Sequence, residues 1–224
     1  MKWQEKKLTR KELFSLKKGL NFLSYNRTLM SEDLYNTFSN GNIIILGTLF
    51  ESFIENILQE YSDKIIIGFN TRKITFQKIP SETQNYICKN LLRKHHKQDF
   101  KEIHFNQAEK MFKKFILSLN DEGFIIDDEL DNINKFSFGK HGETEVKKVF
   151  KRIGINIEED CNSFVELNNF FELRNNIVHP ESLSFTCNSP PTKEQIENYI
   201  KLFFVFIRKV NLQLKRELTK LWNQ

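Results

Sequence analysis

A cluster of residues that can carry acid–base chemistry ends one amphipathic segment of this chain, where positions 173–180 read LRNNIVHP. Histidine titrates near neutral pH and can accept or return a proton. Arginine presents a fixed cationic fork that suits an anionic group. Arg174 and His179 are therefore candidate catalytic residues for an anionic substrate, and the amide of Asn175 could orient either the substrate or the imidazole.

A helix has to position this pair. Apolar residues recur three and four positions apart from about Ser163 to Val178, which predicts an amphipathic helix. Pro180 ends it, because proline disfavours the α region for the residue before it. Along a helix, Arg174 and His179 are separated by a rise of about 7.5 Å and an angle of about 140°. We expect a break at the helix end to let both side chains face one cleft.

The composition predicts an all-α protein with one domain, residues 1–224, since no linker rich in proline, glycine or serine divides the chain. Twenty-two phenylalanines suit a hydrophobic core and a dimer seam. The net charge of +5 favours an anionic partner such as nucleic acid, although 34 basic and 29 acidic residues make a mixed surface.

Cysteine usage and hydropathy bear on the compartment. Three widely spaced cysteines without a C-x-x-C pair indicate a reducing environment, and no unbroken apolar run is long enough to span a membrane. We expect a cytoplasmic protein with no membrane partner. A zinc site built from Cys88, His95, His96 and His104 lacks a recognised ligand spacing, so no metal is predicted.

In the N-terminal half, the pattern predicts helices over 8–39, a break at Asn40 and Gly41, and a core helix over 42–61. Glu51 borders the apolar face of that core helix. Two interpretations stay open for it: an ordinary boundary carboxylate, or a carboxylate that faces the Arg174 and His179 cleft. Residues 64–79 are rich in β-branched side chains, which predicts an extended or irregular segment.

The rest of the chain alternates helices with irregular stretches. Helices are predicted over 80–93, 105–119 and 143–153, the last ended by Gly154, and a long closing helix begins at Thr192. An irregular insertion covers 124–142. The densest cationic patch, Arg93, Lys94 and Lys97, is interpreted either as a grip on RNA phosphates or as a solvated helix end.

This order of elements resembles the HEPN superfamily, whose signature is an arginine, often followed by asparagine, and a histidine after four to six intervening residues. Arg174, Asn175 and His179 match that signature. The stretch GKHGETEVKKVFKRIGI at 139–155 and the acidic residue Glu51 in an early apolar helix resemble the RiboL-PSP and MAE-like HEPN branch. The resemblance covers about residue 42 to the C-terminus.

The resemblance implies an all-α HEPN-like helical bundle whose dimer interface brings two motifs together. It also implies metal-independent endoribonuclease activity with no cofactor, often in toxins and antiphage systems, hence a cognate antitoxin or defence-system partner. The alternative is a catalytically silent HEPN-like module that binds RNA, nucleotide or a partner protein. In that case Arg174 pairs with a carboxylate such as Glu51, and His179 caps its helix.

Overall fold

The computed structural model describes residues 4–95, 125–126, 130, 132–136, 142–157, 161–179 and 190–223. Two 3-10 turns, Arg27–Leu29 and Phe76–Lys78, accompany the α-helices, and the described residues contain no strand. The all-α prediction is therefore confirmed. The α-helices in the described part are α1 (Gln4–Tyr25), α2 (Glu32–Asn70), α3 (Ser81–His95), α4 (Glu143–Arg152), α5 (Cys161–Val178) and α6 (Lys193–Asn223).

The long helix α2 differs most from the sequence-based expectation. The predicted break at Asn40 and Gly41 is wrong, because one helix of 39 residues runs through both positions. Ser31 caps its start, and its hydroxyl accepts a hydrogen bond from the Leu34 N–H at 3.3 Å. Buried side chains on both sides of Gly41, from Ser39 to Ile43, hold the helix together across it. Tertiary packing thus outweighs the local preference of Asn-Gly for a turn.

The second half of α2 corrects the prediction of an extended or irregular segment over 64–79 for residues 64–70, while 71–79 are irregular apart from the turn Phe76–Lys78. Residues up to Asn70 are helical, and Ile65 and Phe69 are buried in the core. Only beyond Asn70 does the chain leave the helix, at Arg72 with a φ of 60°. β-branched residues lower helix propensity only slightly, so burial decides the conformation here.

By length and composition, α2 is also the one helix in the described ranges that could cross a membrane, with mean hydropathy 1.3 over an 18-residue window. The sequence-based expectation had counted unbroken apolar runs and missed it. Half of that window is buried inside the bundle, and the core helix of a bundle has the same composition. The composition of α2 therefore carries no argument for a membrane, and the absence of a membrane partner stays a prediction.

The core forms where α2, α5 and α6 meet. Phe50 of α2 lies with ring centroids 5.6 Å from Phe171 of α5 and 4.7 Å from Phe203 of α6. Phe170 of α5 adds edge contacts to Phe203 and Tyr199 at 4.9 and 5.1 Å. Burying each such ring contributes roughly 1.5–3 kcal/mol. The aromatic core therefore fixes α5, the helix with the candidate pair, against α2.

Helix α1 belongs to the same core, since Leu13 and Leu20 are buried with it. The expected first helix, to about residue 30, ends earlier at Tyr25, and the 3-10 turn Arg27–Leu29 follows. The helices predicted over 80–93, 143–153 and 163–178, and the one from Thr192, agree with α3 to α6 within a few residues. The helix predicted over 105–119 lies outside the described residues.

The described part of the predicted irregular insertion, 132–136, is tied to two helices. The Asn134 side chain donates to the backbone oxygen of Glu55 at 2.7 Å, and Lys135 pairs with the Glu55 carboxylate at 2.6 Å. From α4, Arg152 donates to the backbone oxygen of Lys135 at 2.5 Å and pairs with buried Glu145 at 3.4 Å. This segment joins α2 to α4.

Candidate functional site

The side chain of Arg174, on α5, passes over α2 at Gly47. A Cβ placed on Gly47 would lie 3.5 Å from Arg174 Cγ and 3.7 Å from the Phe170 ring. Both distances are ordinary van der Waals contacts, so the arginine stem packs against α2 at Gly47. The guanidinium Nε is buried and has no hydrogen-bond partner in the part of the chain that the structure describes. The Arg174 side chain is half-buried, and packing against α2 holds its stem in place.

Glu51 lies one turn after Gly47 on α2. Residues four apart share a helix face, and side chains lean toward the N-terminus, so the Glu51 side chain leans toward the turn that Arg174 crosses. One of its carboxylate oxygens, Oε1, is buried. The Glu51 carboxylate and the Arg174 guanidinium have opposite charges and lie on adjacent surfaces, so they attract each other. The catalytic role assigned to Glu51 stays a prediction.

Asn175 contacts its neighbour in sequence. Arg174 Nη1 donates a hydrogen bond of 3.1 Å to Asn175 Oδ1. This bond fixes the rotation of the guanidinium plane, so Asn175 acts on the arginine here. The sequence had assigned it to the substrate or the imidazole instead.

His179 is exposed and follows the last residue of α5 directly. Its backbone N–H donates to the Asn175 oxygen at 2.8 Å, a helical hydrogen bond. The helix ends at Val178, and this hydrogen bond keeps the His179 Cα on the helical path, about 140° around the axis from Arg174. That both side chains of one chain face one cleft stays a prediction.

The cationic patch of the sequence lies largely beyond what the structure describes. Arg93 and Lys94 occupy the last turn of α3, but their side chains, and Lys97 altogether, are outside the described residues. Within the described ranges, no group of three or more His, Cys, Asp or Glu side chains could hold a metal ion.

Sequence reasoning missed Gly47, the residue of α2 against which the arginine stem packs. A signal for it was present: a glycine in the middle of a core helix, one turn before the candidate carboxylate, is unfavourable unless another group approaches closely.

Comparison with known proteins identifies a family for the chain. The family model described as RiboL-PSP-HEPN matches residues 6–216, and no curated protein or solved structure matches the chain. The match begins near the start of α1, well before the expected position 42, and supports a nuclease-type or RNA-related module. The chain therefore belongs to the RiboL-PSP-HEPN family.

Proposed function

We propose that this protein is a metal-independent endoribonuclease of HEPN type that cleaves RNA through attack of a ribose 2′-hydroxyl. The main support is the arrangement on α5. Arg174 is half-buried against α2 with its plane fixed by Asn175, and His179 is exposed beyond it. The proposal includes a role as a cytoplasmic toxin or antiphage-defence effector with a cognate antitoxin or defence partner.

The reaction uses a proton acceptor and a fixed cation. His179 takes the proton of the 2′-hydroxyl, and the 2′-oxygen forms a bond to phosphorus. The bond from phosphorus to the 5′-oxygen breaks, and that oxygen takes a proton from water. The products carry a 2′,3′-cyclic phosphate and a 5′-hydroxyl. Arg174 binds the phosphate oxygens as negative charge grows on them, so no metal ion or cofactor is needed.

Geometry argues that two copies of the chain build one cleft. In one chain the Cα atoms of Arg174 and His179 lie about 140° apart around the axis of α5. A second copy of the chain brings the two residues together if its His179 approaches the Arg174 of the first copy. Closed two-fold dimers are the commonest oligomers, and they bring the same surface patch of both copies together. The proposed site therefore combines Arg174 of one copy with His179 of the other.

An apolar face on α2 suits this second copy. Leu34, Phe38 and Ile45 lie on one side of the helix and are 45%, 45% and 51% exposed. Gly41 lies among them, and a Cβ there would meet nothing within 4 Å. A small residue in an apolar stripe permits close helix approach. Ile44, which is 37% exposed, lies seven residues before Glu51 and so on nearly the same side of α2. We call Leu34, Phe38, Gly41, Ile44 and Ile45 the α2 face.

We expect Ile45→Glu to dissociate the dimer and to abolish cleavage, because a charge inside an apolar interface costs several kcal/mol. The monomer fold should persist, since Ile45 is exposed in one chain. Sedimentation at micromolar concentration and an RNA cleavage assay measure the two effects. Ile67→Glu is the matched control: it is also on α2, 55% exposed, and outside the α2 face. A wild-type protein that sediments only as a monomer would overturn this assignment.

The second candidate is a catalytically silent module, because the family match covers a nuclease-type or RNA-related module without separating the two. Arg174 would then only hold α5 against α2. Incubating labelled RNA with the purified protein in EDTA separates the two candidates. The nuclease cleaves it, and the silent module binds it or leaves it intact.

A further inference from the structure

Two cavities of about 570 and 560 Å³ flank the loop 154–157, which follows α4. They share Gly154, Ile155 and Asn156, so they adjoin at this loop, and we describe the two together as one groove. One side of the groove is α4 and the other is the C-terminal half of α6. We call it the α4–α6 groove. Its cationic residues are Lys147, Lys148, Lys151, Lys209, Arg216 and Lys220.

The loop at the centre of the groove is held firmly. Gly154 has a φ of 73°, and a Cβ there would lie 2.2 Å from Pro80 Cβ, so only glycine fits. The Gln213 side chain of α6 donates to the Asn156 backbone oxygen at 2.8 Å. Ile155 and Ile157 are buried in the core. The groove is thus preformed, which lowers the entropic cost of binding a ligand.

The groove is strongly cationic. Its six basic residues face three carboxylates, those of Glu82, Glu143 and Glu217. Two of these carboxylates already pair with lysines of the groove: Glu143 with Lys147 at 2.6 Å and Glu217 with Lys220 at 2.9 Å. Lys148 pairs with buried Glu145 at 3.6 Å, which leaves six basic residues against four carboxylates. The pairing with Lys147 lowers the pKa of the Glu143 carboxyl. A concave surface with this excess of cations attracts a polyanion.

The groove begins on the same side of α5 as His179. Asn168 of α5 accepts a hydrogen bond from the Glu143 N–H at 2.9 Å and donates one to the Glu143 carboxylate at 2.8 Å. Asn168 precedes His179 by eleven residues, which is about three turns, a rise of roughly 16.5 Å and an offset of only about 20°. One face of α5 therefore leads from His179 to the α4 end of the groove.

We propose that the α4–α6 groove holds the phosphate backbone of single-stranded RNA on one side of the cleavage point. The inference rests on the proposed function and deepens it, since the strand runs from His179 along α5 into the groove. Flexible lysines around a fixed loop suit phosphates, which are read without base specificity. An acidic protein segment has no reason to follow the path to His179, so RNA is the occupant that the geometry favours.

The test measures binding without cleavage. In a His179→Ala background, the triple variant Lys151→Ala, Lys209→Ala and Arg216→Ala is titrated into a fluorescent single-stranded RNA at several salt concentrations. We expect binding to be at least roughly tenfold weaker. The slope of log K against log[salt] should be smaller by about 2, because each lost phosphate contact on a single strand contributes about 0.7. Lys11→Ala, Lys17→Ala and Lys18→Ala on the exposed side of α1 form the matched control, with the same charge removed.

The outcomes separate this inference from the proposed function. Weaker binding with a smaller slope, seen only in the groove variant, supports the inference even if the wild type never cleaves RNA. Equal binding by the groove and control variants overturns it even if the wild type does cleave. A groove that binds polyglutamate more tightly than RNA of equal charge would also overturn it, because the partner would then be an acidic protein.

Discussion

Replacing His179 by alanine should remove nearly all RNA cleavage and leave the protein folded and dimeric. General acid–base catalysis contributes about 10²–10⁴-fold to a rate, and alanine cannot accept the 2′-hydroxyl proton. His179 is exposed at the end of α5, so its removal should change the free energy of unfolding by only about 0.5 kcal/mol. Single-turnover cleavage rates and urea denaturation measure the two quantities.

Glu166→Ala is the control for that substitution, because Glu166 is exposed on the other side of α5 from the proposed path of the RNA and has no assigned role in the reaction. It should cleave RNA at close to the wild-type rate. If His179→Ala also kept the wild-type rate, the imidazole would have no part in proton transfer, and the silent module would replace the nuclease.

Replacing Arg174 by lysine should impair cleavage almost as severely, although the positive charge is kept. An ammonium group lacks the planar fork that holds two phosphate oxygens, and it cannot reproduce the guanidinium geometry that the bond to Asn175 fixes. Stability should move little, because the lysine stem still fills the space above Gly47 and the buried Nε that lacks a partner in the described residues is removed. A full cleavage rate in Arg174→Lys would reduce the role of Arg174 to charge alone.

Mixing the two inactive variants tests how the pair is shared between copies. A dimer of one Arg174→Lys chain and one His179→Ala chain retains one intact site only if arginine and histidine come from different copies. An equal mixture, allowed to exchange subunits, should recover about a quarter of the wild-type activity, since half of the dimers are mixed and each has one of two sites. No recovery, despite exchange, would assign both residues to the same chain.

The sequence predicted best those helices whose ends carry a strong local signal. Pro180 marks the end of α5, and Gly154 marks the loop after α4, where its φ of 73° and its contact with Pro80 require glycine. In α2 the local signal misled, because Asn40 and Gly41 resemble a turn. Burial on both sides of Gly41 keeps the chain helical, and no local pattern reports such burial.

In the candidate site, too, the sequence shows some features and only the structure shows the others. Residue type and spacing were enough to single out Arg174 and His179, because their chemistry is visible in the sequence. The direction in which each side chain points depends on contacts between helices, such as the crossing at Gly47. The hydrogen bond from the His179 N–H to the Asn175 oxygen, which keeps the His179 Cα on the helical path, also required coordinates.

The most direct test of the central claim is to incubate purified protein with end-labelled RNA in EDTA and to identify the new ends. Cleavage by His179 and Arg174 through the 2′-hydroxyl requires no metal, so products should form in EDTA and should carry 2′,3′-cyclic phosphate and 5′-hydroxyl ends. Intact RNA in EDTA, cleavage that appears only when Mg²⁺ is added, or cleavage of RNA whose 2′-hydroxyls are methylated would contradict the claim.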